Sequence, residues 1–154
     1  MRSVITKQVT ISRPIEQVWD ALVDAASIAA WQGGGEVKSN ARVGGRYAIF
    51  DGATTGKFTL VERPARLTYT WRQDNWEAAW PDSVVSWRLV AKGQGTVVRL
   101  RHQRLPNQEE FDGHASGWDE YFLHPMKEWL ESRPPAAARS PVRRRRPAPK
   151  RSSV

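Results

Sequence analysis

The stretch Ile11-Ser12-Arg13-Pro14-Ile15-Glu16-Gln17-Val18-Trp19-Asp20-Ala21-Leu22 changes its hydrophobic period part-way, and that change decides the fold class. Upstream, from Val4 to Ser12, the residues Ile5, Val9 and Ile11 alternate with Thr6, Gln8, Thr10 and Ser12, the period of a half-buried strand. Downstream, Ile15, Val18, Trp19 and Leu22 recur at helical spacing over 14–23. Ser12 is the N-cap candidate, and Pro14 fits a first turn, where a missing N–H breaks no helical bond. Asp24 is placed to cap a second short helix, 25–31, that ends at Trp31 before Gly33-Gly34-Gly35.

Beyond the glycines the period returns to two. Strands are expected at 35–41, 45–51, 55–63, 66–73, 83–92 and 96–104, punctuated by Gly44-Gly45, Asp51-Gly52, Arg63-Pro64 and Lys92-Gly93-Gln94-Gly95. Connections this short predict an antiparallel meander rather than crossover units. From Pro106 to about Glu131 the helical period takes over again. Phe111, Ala115, Trp118, Phe122, Met126 and Trp129 form one apolar stripe, and Pro125 predicts a kink near Tyr121–His124. The element order predicts an α+β architecture in which one curved antiparallel sheet of about seven strands packs its apolar face on the long C-terminal helix.

Charge divides the chain at residue 133. The 154 residues carry a formal charge of +8, yet all eight excess positive charges lie from Arg133 onward, leaving 16 basic and 16 acidic side chains in 1–132. All eight Trp, three Tyr and four Phe also lie in 1–132. The segment 133–154 is rich in Arg, Pro and Ala and holds too little apolar surface to offset its ordering entropy, so a disordered basic tail is expected beside one domain, 1–132. The Arg143–Arg146 run reads either as a solubilising extension or as a weak, salt-dependent contact for anions and nucleic acid. Aromatic interleaving, which would favour base stacking, is absent from it.

The absence of Cys excludes a disulfide framework, a thiolate zinc site and a cysteine nucleophile. No stretch approaches the ~20 apolar residues of a membrane span, and the first residues lack a signal-like apolar run. A cytoplasmic protein with no cofactor, either monomer or homodimer, is the expectation.

The chain resembles the START-related (SRPBCC) superfamily with its helix-grip fold, in the branch named after the C-terminal domain of the activator of heat-shock protein 90 ATPase. The resemblance rests on Ile11–Leu22 with Asp24 and Trp31, on Gly44-Gly45-Arg46-Tyr47, and on Gly56–Pro64 with Arg66–Trp71. It continues through Gly95-Thr96, Leu100-Arg101-His102 and Gly117-Trp118, covering residues 4–131 in order. Gln32 stands where the family often has a second Trp, and the segment from 133 has no counterpart. The resemblance implies a cavity between sheet and C-terminal helix that holds lipids, polyketide-like rings or other hydrophobic metabolites. It does not carry co-chaperone activity to this chain, which lacks room for the eukaryotic activator's separate N-terminal domain.

On that implication the candidate ligand-binding residues are Tyr47, Phe58, Tyr69, Trp71, Trp87, His102, Trp118 and Phe122, each of which also fits a solid core. Trp76 and Trp80 fall in the loop Asp74–Asp82 and read either as packing on the sheet edge or as a lid at the cavity mouth. His102 shares its strand's inward face with Val98 and Leu100. It reads either as a core-edge histidine or as an acid/base group, with Glu16 or Asp20 as companions. His114 and His124 do not have metal-ligand spacing, and Gly33–Gly35 lacks the Lys-Ser/Thr of a phosphate loop. Three functions therefore stand: binding of a hydrophobic or aromatic small molecule, a cyclase- or hydratase-type enzyme using the same cavity, and a chaperone or interaction module presenting Trp76 and Trp80.

Overall fold

The structure is a computed structural model that describes residues 4–134. The basic segment expected beyond the domain therefore lies outside the described residues from 135 onward. Strand β1 (Val4–Ile11) leads into helices α1 (Ile15–Val23) and α2 (Ala25–Trp31). Six strands follow: β2 (Lys38–Ser39), β3 (Arg46–Ile49), β4 (Thr54–Glu62), β5 (Arg66–Gln73), β6 (Ser83–Lys92) and β7 (Gly95–Gln103). The chain closes with α3 (Gln108–Gly117), a π-helical segment Trp118–Leu123 and α4 (His124–Glu131). One seven-stranded antiparallel sheet runs β1-β7-β6-β5-β4-β3-β2, so the first and last strands pair and the two short helices carry the chain to the opposite edge. This is the α+β helix-grip fold.

The alternation of the strands sorts side chains onto two faces. Leu67, Tyr69 and Trp71 of β5, Val85, Trp87 and Leu89 of β6, and Val98, Leu100 and His102 of β7 all point to the helical side and are buried. They meet Trp118, Leu123, Met126 and Leu130, which are at most 2% exposed. Each fully buried Leu or Met contributes about 1.5–3 kcal/mol of transfer free energy, so this layer is the main cohesive contact. In β4 the register slips between Phe58 and Leu60, with Phe58 opposite Tyr69 but Leu60 opposite Thr68. That bulge resets the alternation, sending Leu60 to the outer face and Val61 back to the core.

Four details differ from the sequence reading, each for a local reason. Ser12 does not cap α1. The helix starts one residue later behind an extended Pro14, and the Ser12 N–H donates instead to the Glu131 carboxylate at 2.8 Å. The strand expected at 35–41 shrinks to Lys38–Ser39, because Gly33, Gly34 and Gly35 all take positive φ and delay the extended chain. The strand expected at 45–51 stops at Ile49, where Phe50 and Asp51 turn left-handed at φ 55° and 57°. The single kinked helix is three segments. Pro125 has no N–H to offer, and the wide turn, in which the His124 N–H reaches Asp119 O, absorbs the missing bond. Asp24, by contrast, caps α2 as its position predicts, accepting from the Ser27 N–H at 3.0 Å.

The C-terminal helix is tied to the first strand at both ends of the contact. Lys7 pairs with Asp119 at 2.7 Å, and Lys127, paired along its own helix with Glu131 at 2.8 Å, donates to Thr10 O of β1 at 2.5 Å. The Lys127 hydrogen bond, more than any other partner, holds the Glu131 carboxyl below its usual range. Arg13 reaches the backbone carbonyls of Glu131 and Arg133, and Arg133 lies over Trp129 at 4.3 Å, so the body's contacts extend past residue 132.

Candidate functional site

The wall between β5 and the C-terminal helix is built from rings. Trp71 leaves the inward face of β5 and meets Trp118 at 4.9 Å and Phe122 at 5.8 Å between centroids, while Trp118 and Phe122, one turn apart, stand 4.5 Å apart. Phe50, thrown inward by its left-handed turn, reaches Phe122 at 5.9 Å. Such offset and edge contacts each contribute about 0.5–1.5 kcal/mol beyond burial.

Two histidines hold these rings in place. The Trp118 indole N–H donates to His102 Nδ1 at 3.0 Å. An indole can only donate, so the His102 proton lies on Nε2, which donates to Ser83 Oγ at 2.8 Å, and Ser83 in turn donates to Trp71 O at 2.9 Å. Burial drives the His102 pKa down to about 3, and the neighbouring His114 ring, 5.2 Å away, adds to the effect. His102 is therefore neutral, fully enclosed and committed at both nitrogens. Its expected companions are elsewhere: Glu16 is exposed on α1, and Asp20 pairs with Arg63 at 3.4 Å on the surface.

His114 repeats the arrangement at the open end. It accepts the Trp71 indole N–H at Nε2 (3.0 Å), so Nδ1 carries the proton and donates to Glu110 O at 2.8 Å. Glu110 Oε1 accepts from the Trp76 indole at 3.0 Å. Trp76 is consequently buried rather than presented to solvent, and Trp80 leans on it edge-on at 6.3 Å. The chain Trp71–His114–Glu110–Trp76 pins the loop Asp74–Asp82 to α3.

An open cleft of about 390 Å³ lies against this chain. Trp71, Trp118 and Phe122 form its apolar floor, Phe50 and Tyr121 its flank, and Gly113 and Gly117 leave its helical side without bulk. Polar groups reach it from both walls: His114, Glu109 and Glu110 from α3, Gln73 and Thr54 from the strands. Three of the eight expected ligand residues thus line the cleft. Tyr47, Phe58 and Tyr69 sit at the other end, around a void of only about 20 Å³. Trp87 is packed beneath them with its N–H on Tyr69 Oη at 2.9 Å, and His102 lies behind the floor. Glu110, His114 and Gln73 escaped the sequence reading. The i, i+4 spacing of Glu110 and His114 on one helix face was the signal that could have found two of them. Among the described residues no three His, Asp or Glu side chains gather as a metal site, and no helix is long and apolar enough to cross a membrane.

Residues 12–131 match the family described as Activator of Hsp90 ATPase homolog 1-like protein. The chain belongs to this family. Within the activator-like fold it superposes on an HSP90 activator from Plasmodium falciparum at TM-score 0.79, with 22% identity over 84% of this chain and 97% of that one. CalU16 from Micromonospora echinospora is similar at TM-score 0.72 and 28% identity, covering 85% and 76%. The Aha1 dimer from Colwellia psychrerythraea gives TM-score 0.72 at 20% identity, covering 84% and 97%. At such identities the P. falciparum and C. psychrerythraea proteins establish the shared activator-like fold. An uncharacterized Schizosaccharomyces pombe protein is 25% identical over 123 residues, 80% of this chain, and this chain spans about a third of it (36%).

Proposed function

We propose that this activator-family domain binds a compact apolar or aromatic small molecule in the cleft between β5 and the C-terminal helix. The observation that carries the reading is the cleft itself: about 390 Å³, floored by Trp71, Trp118 and Phe122 and edged by a few polar groups. That is the size and make-up of small-molecule sites, where rings supply contact area and sparse polar groups fix orientation. The rings cannot fold inward to fill the space, because indole N–H groups are spent on His102 and His114. The ligand enters beside Glu109 and Glu110, so an apolar body with a neutral or donor-bearing end suits the mouth. Trp76 and Trp80 do not line the cleft; Trp76 reaches it only through its bond to Glu110, so neither serves as a lid in this reading.

A thermal-shift screen of aromatic and polycyclic compounds on the full chain tests this. A binder at 100-fold over its Kd adds ~2.7 kcal/mol of stability. Gly113→Phe, where an added Cβ meets nothing within 4 Å, should fold normally and cancel the shift by filling the cleft. No shift with any compound, or equal shifts in Gly113→Phe, would end the proposal.

A second reading, proton-transfer catalysis in the same cleft, is favoured by one observation: the half-buried Glu110 carboxylate stands 3.6 Å from His114 Nδ1 at the cleft wall. There Glu110 would take or give the proton and the ring wall would orient the substrate.

A further inference from the structure

The outer face of the sheet concentrates a charge that the inner cleft does not use. Arg66 on β5 lies opposite Arg88 on β6, and Arg88 lies opposite Arg99 on β7, so three arginines form one row across three strands. Arg101 stands in the next row, level with Ser86 and Thr68. Adjacent strands are about 4.8 Å apart, and like charges directly opposite destabilise a sheet. Among the described residues one carboxylate, Glu62, answers the row, at 3.4 Å from Arg66, and Arg99 bonds the neutral Gln8 amide at 3.1 Å. Residues 1–132 balance 16 basic side chains against 16 acidic ones, so the row is segregation of charge and not overall excess.

The four arginines and the Ser86 and Thr68 hydroxyls line an open groove of about 550 Å³. We propose that this groove binds a compact polyphosphate anion. Several planar guanidinium forks converging on one recess suit bidentate bonding to phosphate oxygens, and the hydroxyls add donors between them. Trp87 borders the groove only from beneath, its ring buried on the core side, so no aromatic face is offered to a base and the recognised part is phosphate. A recess, rather than a raised or apolar-tipped surface, suits a soluble anion over a lipid bilayer. An anion bridging the row would also relieve the arginines' mutual repulsion, coupling its binding to sheet stability.

Calorimetric titration of the full chain with inorganic tripolyphosphate tests the assignment. The double variant R88Q/R99Q should lose at least about tenfold in affinity, while R143Q/R144Q/R145Q/R146Q stays within about twofold. R88Q/R99Q should melt no lower than the parent chain, because it removes like-charge repulsion, so its loss of binding is not unfolding. The proposal is overturned by no titratable binding in the parent chain, or by a loss carried by the 143–146 variant instead. It is also overturned if phosphatidylinositol-bisphosphate vesicles or a poly-glutamate peptide bind the groove more tightly than tripolyphosphate, which would make the face a membrane or protein contact.

Discussion

The interior has two aromatic ends that differ in one respect. At one, Tyr47, Phe58 and Tyr69 stack within 4.6–5.7 Å of each other and leave about 20 Å³. At the other, Trp71, Trp118 and Phe122 are as close to each other, yet a cleft of about 390 Å³ stays open beside them. Ring content does not distinguish the two ends; hydrogen bonding does. At the closed end Tyr47 crosses over Gly56 and donates to Thr70 O at 2.6 Å, a bond that pulls its ring down onto the sheet. At the open end the indoles are tethered across the seam between sheet and helix, Trp118 to His102 of β7 and Trp71 to His114 of α3, which holds both rings clear of the gap. A cavity persists where polar tethers hold apolar groups apart against the drive to collapse.

Three measurements probe this difference. The largest effect belongs to pH, because His102 anchors the floor of the open end. Its pKa is about 3 folded against 6.5 ordinarily, so between those values the unfolded chain binds more protons. The His102 contribution is present above about pH 6.5 and is lost as pH falls, at up to ~1.4 kcal/mol per pH unit and on the order of 4 kcal/mol by pH 3. Denaturant titrations from pH 7 to 4 should show that decline, and His102→Gln should flatten it. An unchanged slope in the variant would mean other groups govern the acid limb.

Gly56→Ala attacks the closed end. Its Cβ would lie 1.9 Å from Thr70 O and 2.5 Å from the Tyr47 ring, so the Tyr47 bond and the sheet cannot both survive. A loss of about 3 kcal/mol in denaturant midpoint stability is expected, with little change in the affinity of any compound found to bind the cleft. A cleft ligand lost in proportion would show the two ends to be one coupled cavity.

The smallest effect compares one deletion at each end. Tyr69→Phe strands the fully buried Trp87 N–H and should cost about 2 kcal/mol, whereas Trp71→Phe leaves His114 within reach of water and should cost about 1 kcal/mol. Trp71→Phe should nevertheless be the variant that weakens cleft binding. If the two costs are equal, the open end is drier than its geometry indicates.

Period and punctuation were enough to read the elements. The shift at Ser12–Pro14, the turn glycines and the stripe from Phe111 to Trp129 specify strand, two helices, a meander and a closing helix, because these are local properties of the backbone and its hydrophobic face. The same locality located Asp24 as a cap and Pro125 as the kink. It failed where a local rule met a distant partner. Ser12 is left short of the helix by the extended Pro14, and its N–H goes to Glu131 at the far end of the fold.

The cleft was legible only in part, for a related reason. Trp71, Trp118 and Phe122 could be picked as inward-facing from alternation and helical spacing, but so could Tyr47, Phe58, Tyr69 and Trp87, and nothing in a strand's period says which ring will be tethered. His102 and His114 sit on different elements and meet at 5.2 Å only because β7 and α3 pack together. Glu110 becomes half-buried only because Trp76 folds over it. The arginine row shows the same division: each Arg is visibly outward on its own strand, but that Arg66, Arg88 and Arg99 stand side by side is a fact of register. Sequence determined the elements, their faces and the family, all of which follow from contacts a few residues long. Tertiary structure alone decided which side chains share a hydrogen bond, and with that which end of the interior closes and which stays open.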